Sequence, residues 1–210
     1  MTEQINLKEI EKKAYTSFFE DGLYEIIFAH FMLVGFLSST LSETGVSDII
    51  RISIYVPIMF LGILIVYFGK KYITIPRLGI AKFRDDRIKR INKLHVYIIA
   101  FVVVSVSIAV ASMTGNLNKN IPMTIIIPII LFSFFAIAAW YQNYPRFLIT
   151  GLLYASSELI YVFVESKGVV LGKGLLAYGV PGVIILVIGI NSLFKFLQKY
   201  PKVKVEVSNG

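Results

Sequence analysis

The chain has 210 residues, 56% hydrophobic and 16% charged, with a mean hydropathy of +0.74. Soluble domains run about 45–50% apolar and about 25% charged, so this composition excludes a disordered chain, a disulfide scaffold and an ordinary soluble enzyme. The formal charge is +8 and cysteine is absent, which removes thiol catalysis, Cys-ligated metals and disulfides; the basic residues lie between apolar runs and do not form a nucleic-acid surface.

Residues 1–21 open the chain with a polar, charged segment that does not read as a cleavable leader. Within it Leu7, Ile10, Ala14 and Phe18 recur at helical spacing among Lys8, Glu9, Glu11, Lys12 and Lys13, which predicts an amphipathic segment lying along a membrane surface. A helix rising 1.5 Å per residue needs about 20 apolar residues to cross about 30 Å of hydrocarbon. Six stretches meet that requirement: Leu23–Ser39, Ile52–Phe68, Val96–Met113, Ile121–Trp140, Phe147–Val164 and Leu175–Leu193. Their apolar runs are continuous and lack the alternation of barrel strands. The expected fold is therefore an all-α integral membrane bundle of six transmembrane helices over 22–197, with a basic loop at 69–95 and a tail at 198–210.

Orientation follows from the basic residues. Lys8, Lys12 and Lys13 precede span one, nine Lys and Arg fall between Lys70 and Lys93, Arg146 precedes span five, and four lysines follow span six. The opposite side has only Arg51, Lys119, Lys167 and Lys173. A cell-membrane protein with both termini in the cytoplasm is expected. Tyr67, Phe68 and Tyr72 at the end of span two, and Trp140, Tyr141 and Tyr144 at the end of span four, suit an interfacial aromatic belt.

Spans two, four and six share a proline pattern. Ser53-x3-Pro57 precedes Tyr72-x3-Pro76-Arg77, Thr124-x3-Pro128 precedes Tyr141-x3-Pro145-Arg146, and Pro181 precedes Pro201-Lys202. Three repeated helical hairpins would account for it, with the Ser53 and Thr124 hydroxyls helping to satisfy the carbonyl that each proline leaves unbonded. Gly151-x3-Ala155, and Gly182 with Gly189, are expected at close helix contacts, as are the Ser-x3-Ala pairs Ser105–Ala109 and Ser107–Ala111.

The basic segment has its own pattern. Ile88, Ile91 and Leu94 form a narrow apolar stripe, and Asp85 with Lys89 and Asp86 with Arg90 are helix-favouring pairs. Arg84, Arg87, Arg90 and Lys93 are then placed to meet anionic lipid headgroups.

Ionisable groups inside spans are costly and mark function by default. Glu25, His30 and Glu158 are the clear cases. Glu25 lies near the cytoplasmic entry, within reach of Arg77 or Arg146. His30 and Glu158 lie about 12 and about 16 Å into spans one and five, counted from their cytoplasmic ends. Tyr154, Ser157 and Tyr161 accompany Glu158, so His30 and Glu158 together form a candidate intramembrane polar site. Two histidines cannot make a zinc site without distant carboxylates, and HExxH, P-loop, GxGxxG and GxSxG motifs are absent. No catalytic residue, metal or cofactor is expected.

Two stretches carry a resemblance. Phe19-Glu20-Asp21-Gly22-Leu23-Tyr24-Glu25-Ile26, entering span one, and Ile75-Pro76-Arg77-Leu78-Gly79-Ile80-Ala81-Lys82-Phe83, after span two, resemble a family of uncharacterised prokaryotic multi-pass membrane proteins. That family has an acidic-Gly-Leu-aromatic-Glu entry and a Pro-Arg-x-Gly-Tyr-Val-x-Phe loop, where this chain has Ile80-Ala81 for the Tyr-Val pair. The resemblance implies no activity; it implies an ionic lock of Asp21, Glu25 and Arg77 joining span one to the loop. The size and span number are also similar to vitamin-binding subunits of energy-coupling transporters, without a shared motif. The leading functional expectation is a protein that binds or moves a small solute or ion. The alternative is a scaffold docking lipid or a partner through its basic loop, and a membrane-embedded enzyme comes third.

Overall fold

The computed structural model describes residues 15–79, 89, 92–94, 96–101, 103, 104, 107, 123–169 and 172–202. Among these residues the chain is helical and contains no strand. Helix α1 is Leu23–Glu43 and α2 is Asp48–Gly69, which runs on through a π-helical turn, Lys70–Thr74, into α3, Ile75–Leu78. Helix α4 is Met123–Gln142, α5 is Arg146–Ser166, and a second π-helical turn, Leu175–Gly179, leads into α6, Val180–Lys199. Among the described residues five helices are long and apolar enough to cross a membrane: Leu23–Glu43, Asp48–Leu78, Met123–Gln142, Arg146–Ser166 and Leu175–Lys199. Of the third expected span, Val96–Met113, only scattered positions are described, and these are helical.

The helix through Asp48–Leu78 has 31 residues, more than a bilayer core requires. Its first 22 residues, α2, already span about 33 Å at the α-helical rise. Lys70 therefore stands on a helix and not in a loop. Both π turns sit two residues before a proline, Pro76 and Pro181. Proline has no N–H and its ring crowds the carbonyl four residues earlier, so the turn ahead of it widens. In the first of them the Ile75 N–H bonds the Lys70 carbonyl, five residues back.

The prolines of the expected repeat occupy unlike positions. Pro57 and Pro128 lie inside α2 and α4, Pro76 follows a π turn within a continuing helix, Pro145 caps the start of α5, and Pro181 opens α6. The Ser53 hydroxyl bonds the Ile49 carbonyl at 2.8 Å and not the one that Pro57 leaves open, because a helical serine reaches most easily to the preceding turn.

The chain divides into two compact units, Met1–Ala81 with Tyr178–Gly210, and Lys82–Ala177. In the first, α1 packs against both α2 and α6. Close approaches set the register: along α1, Gly22 meets Ser192, Ile26 meets Gly189, Met32 meets Gly182, and Gly35 faces Tyr178. Residue numbers rise on α1 as they fall on α6, so the two helices are antiparallel. Leu23 against Gly69 and His30 against Gly62 make α2 antiparallel to α1 as well. Those two glycines are the only residues that α2 buries, while Ile49, Phe60, Leu61 and Ile63 stand exposed along it, as suits a helix solvated by lipid.

In the second unit α4 packs on α5 across a tight turn in which Asn143 adopts φ 53°, a conformation asparagine tolerates. Gly151 lies directly against Phe135, where a Cβ would come 2.5 Å from the Phe135 Cβ. The Phe135 and Tyr154 rings meet at 5.0 Å, Tyr97 stacks on Phe134 at 6.1 Å, and the Phe101 ring meets Phe134 tilted at 4.2 Å. Gly151, Gly182 and Gly189 thus take the close-contact roles that their size predicts. Within the expected aromatic belt Trp140, Tyr67 and Tyr72 are exposed, but Tyr144 is buried edge-on against Phe147.

Candidate functional site

The buried charge of the first unit gathers where α1 begins. Gly22 must be glycine: its φ is 72°, and the backbone oxygen of Gly189 occupies the space that a side chain would need. This turn carries Asp21 underneath the helix start, where Asp21 Oδ1 accepts the Leu23 N–H at 3.1 Å. The other carboxylate oxygen, Oδ2, accepts from Lys70 Nζ at 2.6 Å and from the Thr74 hydroxyl. The Asp21 side chain is wholly buried, and that of Lys70 is 10% exposed. Glu25, one turn further along α1, is also buried, beside Gly189 of α6. Two carboxylates and one ammonium thus share one packed end of the first unit.

The Lys70 ammonium also donates to the Phe18 carbonyl and lies 4.2 Å from the Phe18 ring centre, 4.6 Å from that of Tyr24 and 5.8 Å from that of Phe19. The negative faces of these rings attract a desolvated cation. Tyr15 and Phe19 are buried with their rings at 5.2 Å, so residues 15–21 wrap the site as packed structure. The π turn contributes as well, because it supplies both Lys70 and Thr74 to Asp21. π turns are rare and often accompany functional sites.

The expected lock of Asp21, Glu25 and Arg77 is placed differently. Asp21 and Glu25 are together at the site, but the cation on Asp21 is Lys70. Arg77 donates through Nη1 to the Ile73 carbonyl at 2.9 Å, on its own helix. The reason is geometric: Lys70 and Thr74 are one turn apart and face α1, and Arg77 lies beyond them. Glu20 reaches the end of α6, pairing with Lys199 at 2.7 Å, an exposed contact of small energetic weight.

His30 is a strut between α1 and α2. Its Nε2 donates to the Ile58 carbonyl at 2.8 Å, and Gly62 makes room for the imidazole, since a Cβ there would lie 2.5 Å from His30 Cδ2. Glu158 belongs to the second unit, half-buried on α5. On the same helix Ser157 is fully buried with its hydroxyl on the Leu153 carbonyl at 2.7 Å, Tyr154 packs on Phe135, and the Tyr161 ring lies 4.8 Å from Lys173 Nζ. Lys173 also pairs with Glu165 at 2.8 Å, and these contacts push its ammonium pKa up, the Glu165 hydrogen bond most and Tyr161 next.

Arg84, Arg87 and Arg90 of the lipid-headgroup group, the apolar stripe except Leu94, and most of the expected N-terminal amphipathic segment lie outside the described residues. Lys93 is described and exposed. Among the described residues no three His, Cys, Asp or Glu side chains are grouped as metal ligands.

Sequence reasoning missed Lys70 and Thr74. Lys70 counts among nine basic residues whose position alone explains them, and hydropathy ends span two at Phe68. The available signal was Gly69-Lys70-x3-Thr74 ahead of Pro76, a small residue and two polar ones at helical spacing. No family model, curated protein or solved structure matches the chain.

Proposed function

We propose that this chain is a six-span protein of the cell membrane, both termini cytoplasmic, that binds and moves a small cation through its first unit. The observation that supports this reading is the buried Asp21–Lys70–Thr74 centre with Glu25 beside it. Ionisable groups buried in an apolar packing are expensive and are kept where they hold a structure together or serve a pathway or a site. Here the formal charges are two negative and one positive, so the centre is a net monoanion that favours a cation. The distribution of Lys and Arg supports the orientation, which puts this centre near the cytoplasmic interface.

The test uses wild-type protein in liposomes adsorbed to a sensor membrane, with concentration jumps of sodium, potassium, protons and methylammonium. At least one jump is expected to give a transient current, reduced tenfold or more in Asp21→Asn. Silence towards all four cations, or equal currents in the variant, overturns the proposal.

A further inference from the structure

We propose that the cradle around Lys70 is an ammonium-recognition site, which takes a small alkylammonium cation in exchange for the lysine head group that fills it in this structure. The inference rests on the cation-binding reading above and narrows it to a chemical class.

The cradle has the chemistry of an ammonium receptor. A protonated amine presents N–H donors and no acceptor. Asp21 Oδ2 and the Phe18 carbonyl accept from the resident one, and Thr74 holds the carboxylate in place. The remaining directions are closed by the faces of Phe18 and Tyr24, with Phe19 further off. Rings in those positions suit an organic cation, whose carbon atoms are content against them; a bare inorganic ion would want further oxygens there. Lys70 is thus the tethered version of the ligand.

The mounting of Lys70 provides a way out. Its carbonyl takes the five-residue bond from the Ile75 N–H. In α-helical register that N–H would instead bond the Lys71 carbonyl, and removing one residue from the wide turn rotates what precedes it by about 100°. Lys70 would leave the cradle by that slip. Its departure leaves the Asp21 and Glu25 carboxylates together, and an incoming monocation restores the charge that has gone.

The experiment titrates Lys70→Ala in lipid nanodiscs with methylammonium chloride, against sodium chloride at equal ionic strength, and follows thermal unfolding. A ligand that binds the folded state raises the melting temperature. Methylammonium is expected to stabilise the variant with a half-saturating concentration at least tenfold below that of wild type, and sodium is expected to do neither. Equal responses to the two salts overturn the proposal. Should Lys70→Ala fail to fold, amide exchange on wild type decides: exchange across residues 70–74 should rise in methylammonium and not in sodium, and identical exchange overturns the idea. Inorganic-cation currents that depend on Asp21, found together with no methylammonium effect, would sink this inference and leave the broader cation reading standing.

Discussion

Replacing Lys70 by methionine removes the ammonium but keeps an unbranched apolar stem. Asp21 then stays buried with two of its three hydrogen bonds, from Leu23 N–H and Thr74, at the positive end of α1. Breaking a buried ion pair from one side costs about 3–5 kcal/mol, and these remaining donors place Lys70→Met near the lower end, about 3 kcal/mol. Asp21→Asn strands the ammonium instead. The Phe18 carbonyl and the aromatic faces offset part of the loss, the faces by about 2 kcal/mol for a desolvated cation, so the expected cost is about 2–3 kcal/mol. The double variant Asp21→Asn/Lys70→Met leaves no uncompensated charge between the pair and should return to within about 1 kcal/mol of wild type. The assay is reversible unfolding by denaturing detergent in mixed micelles, read as a double-mutant cycle. Additive costs, with the double variant down by about 5–6 kcal/mol, would refute the view that Asp21 and Lys70 answer one another.

Two further outcomes follow from local geometry. Gly62→Ala puts a methyl group into the His30 imidazole and should cost about 1–3 kcal/mol; adding His30→Ala should recover part of that loss, and a melt showing no recovery would mean the strut is not what Gly62 accommodates. Lys173, whose pKa is raised above 10.5 by the Glu165 hydrogen bond and then by Tyr161, should keep its proton as pH passes 10.5. Raised pKa means that the pair's contribution is present in full below the unfolded value and fades as pH climbs through the folded one. Glu165→Gln should lower the Lys173 pKa, measured by NMR of the labelled lysine, and should lower thermal stability at pH 7 only slightly, because solvent screens the pair.

Much of the helical framework was legible without coordinates. Continuous apolar runs have one solution in lipid, where every backbone N–H needs an internal partner, and among the described residues five of the six expected spans are present as long apolar helices. Gly151, Gly182 and Gly189 could be assigned to close contacts from size alone. Hydropathy failed at the end of span two, because a lysine lowers a window average whether or not the helix continues. The chain runs nine residues past Gly69 to Leu78. The burial of Asp21 and Glu25 was half visible: acidic residues at a helix start are expected from the dipole, but their dry surroundings depend on α6 and on residues 15–21 folding over them.

By itself the sequence determined that the described segments are helical and which of them are apolar enough to cross a membrane, since those depend on local composition and on a backbone that cannot stay unbonded in hydrocarbon. Only the tertiary structure decided that Lys70, and not Arg77, answers Asp21, and that His30 braces α2. Partner choice among like charges is set by where helices touch. Contacts such as Gly22 on Ser192 and Leu23 on Gly69 fix that register across more than forty residues of intervening chain, a separation at which local patterns carry no information.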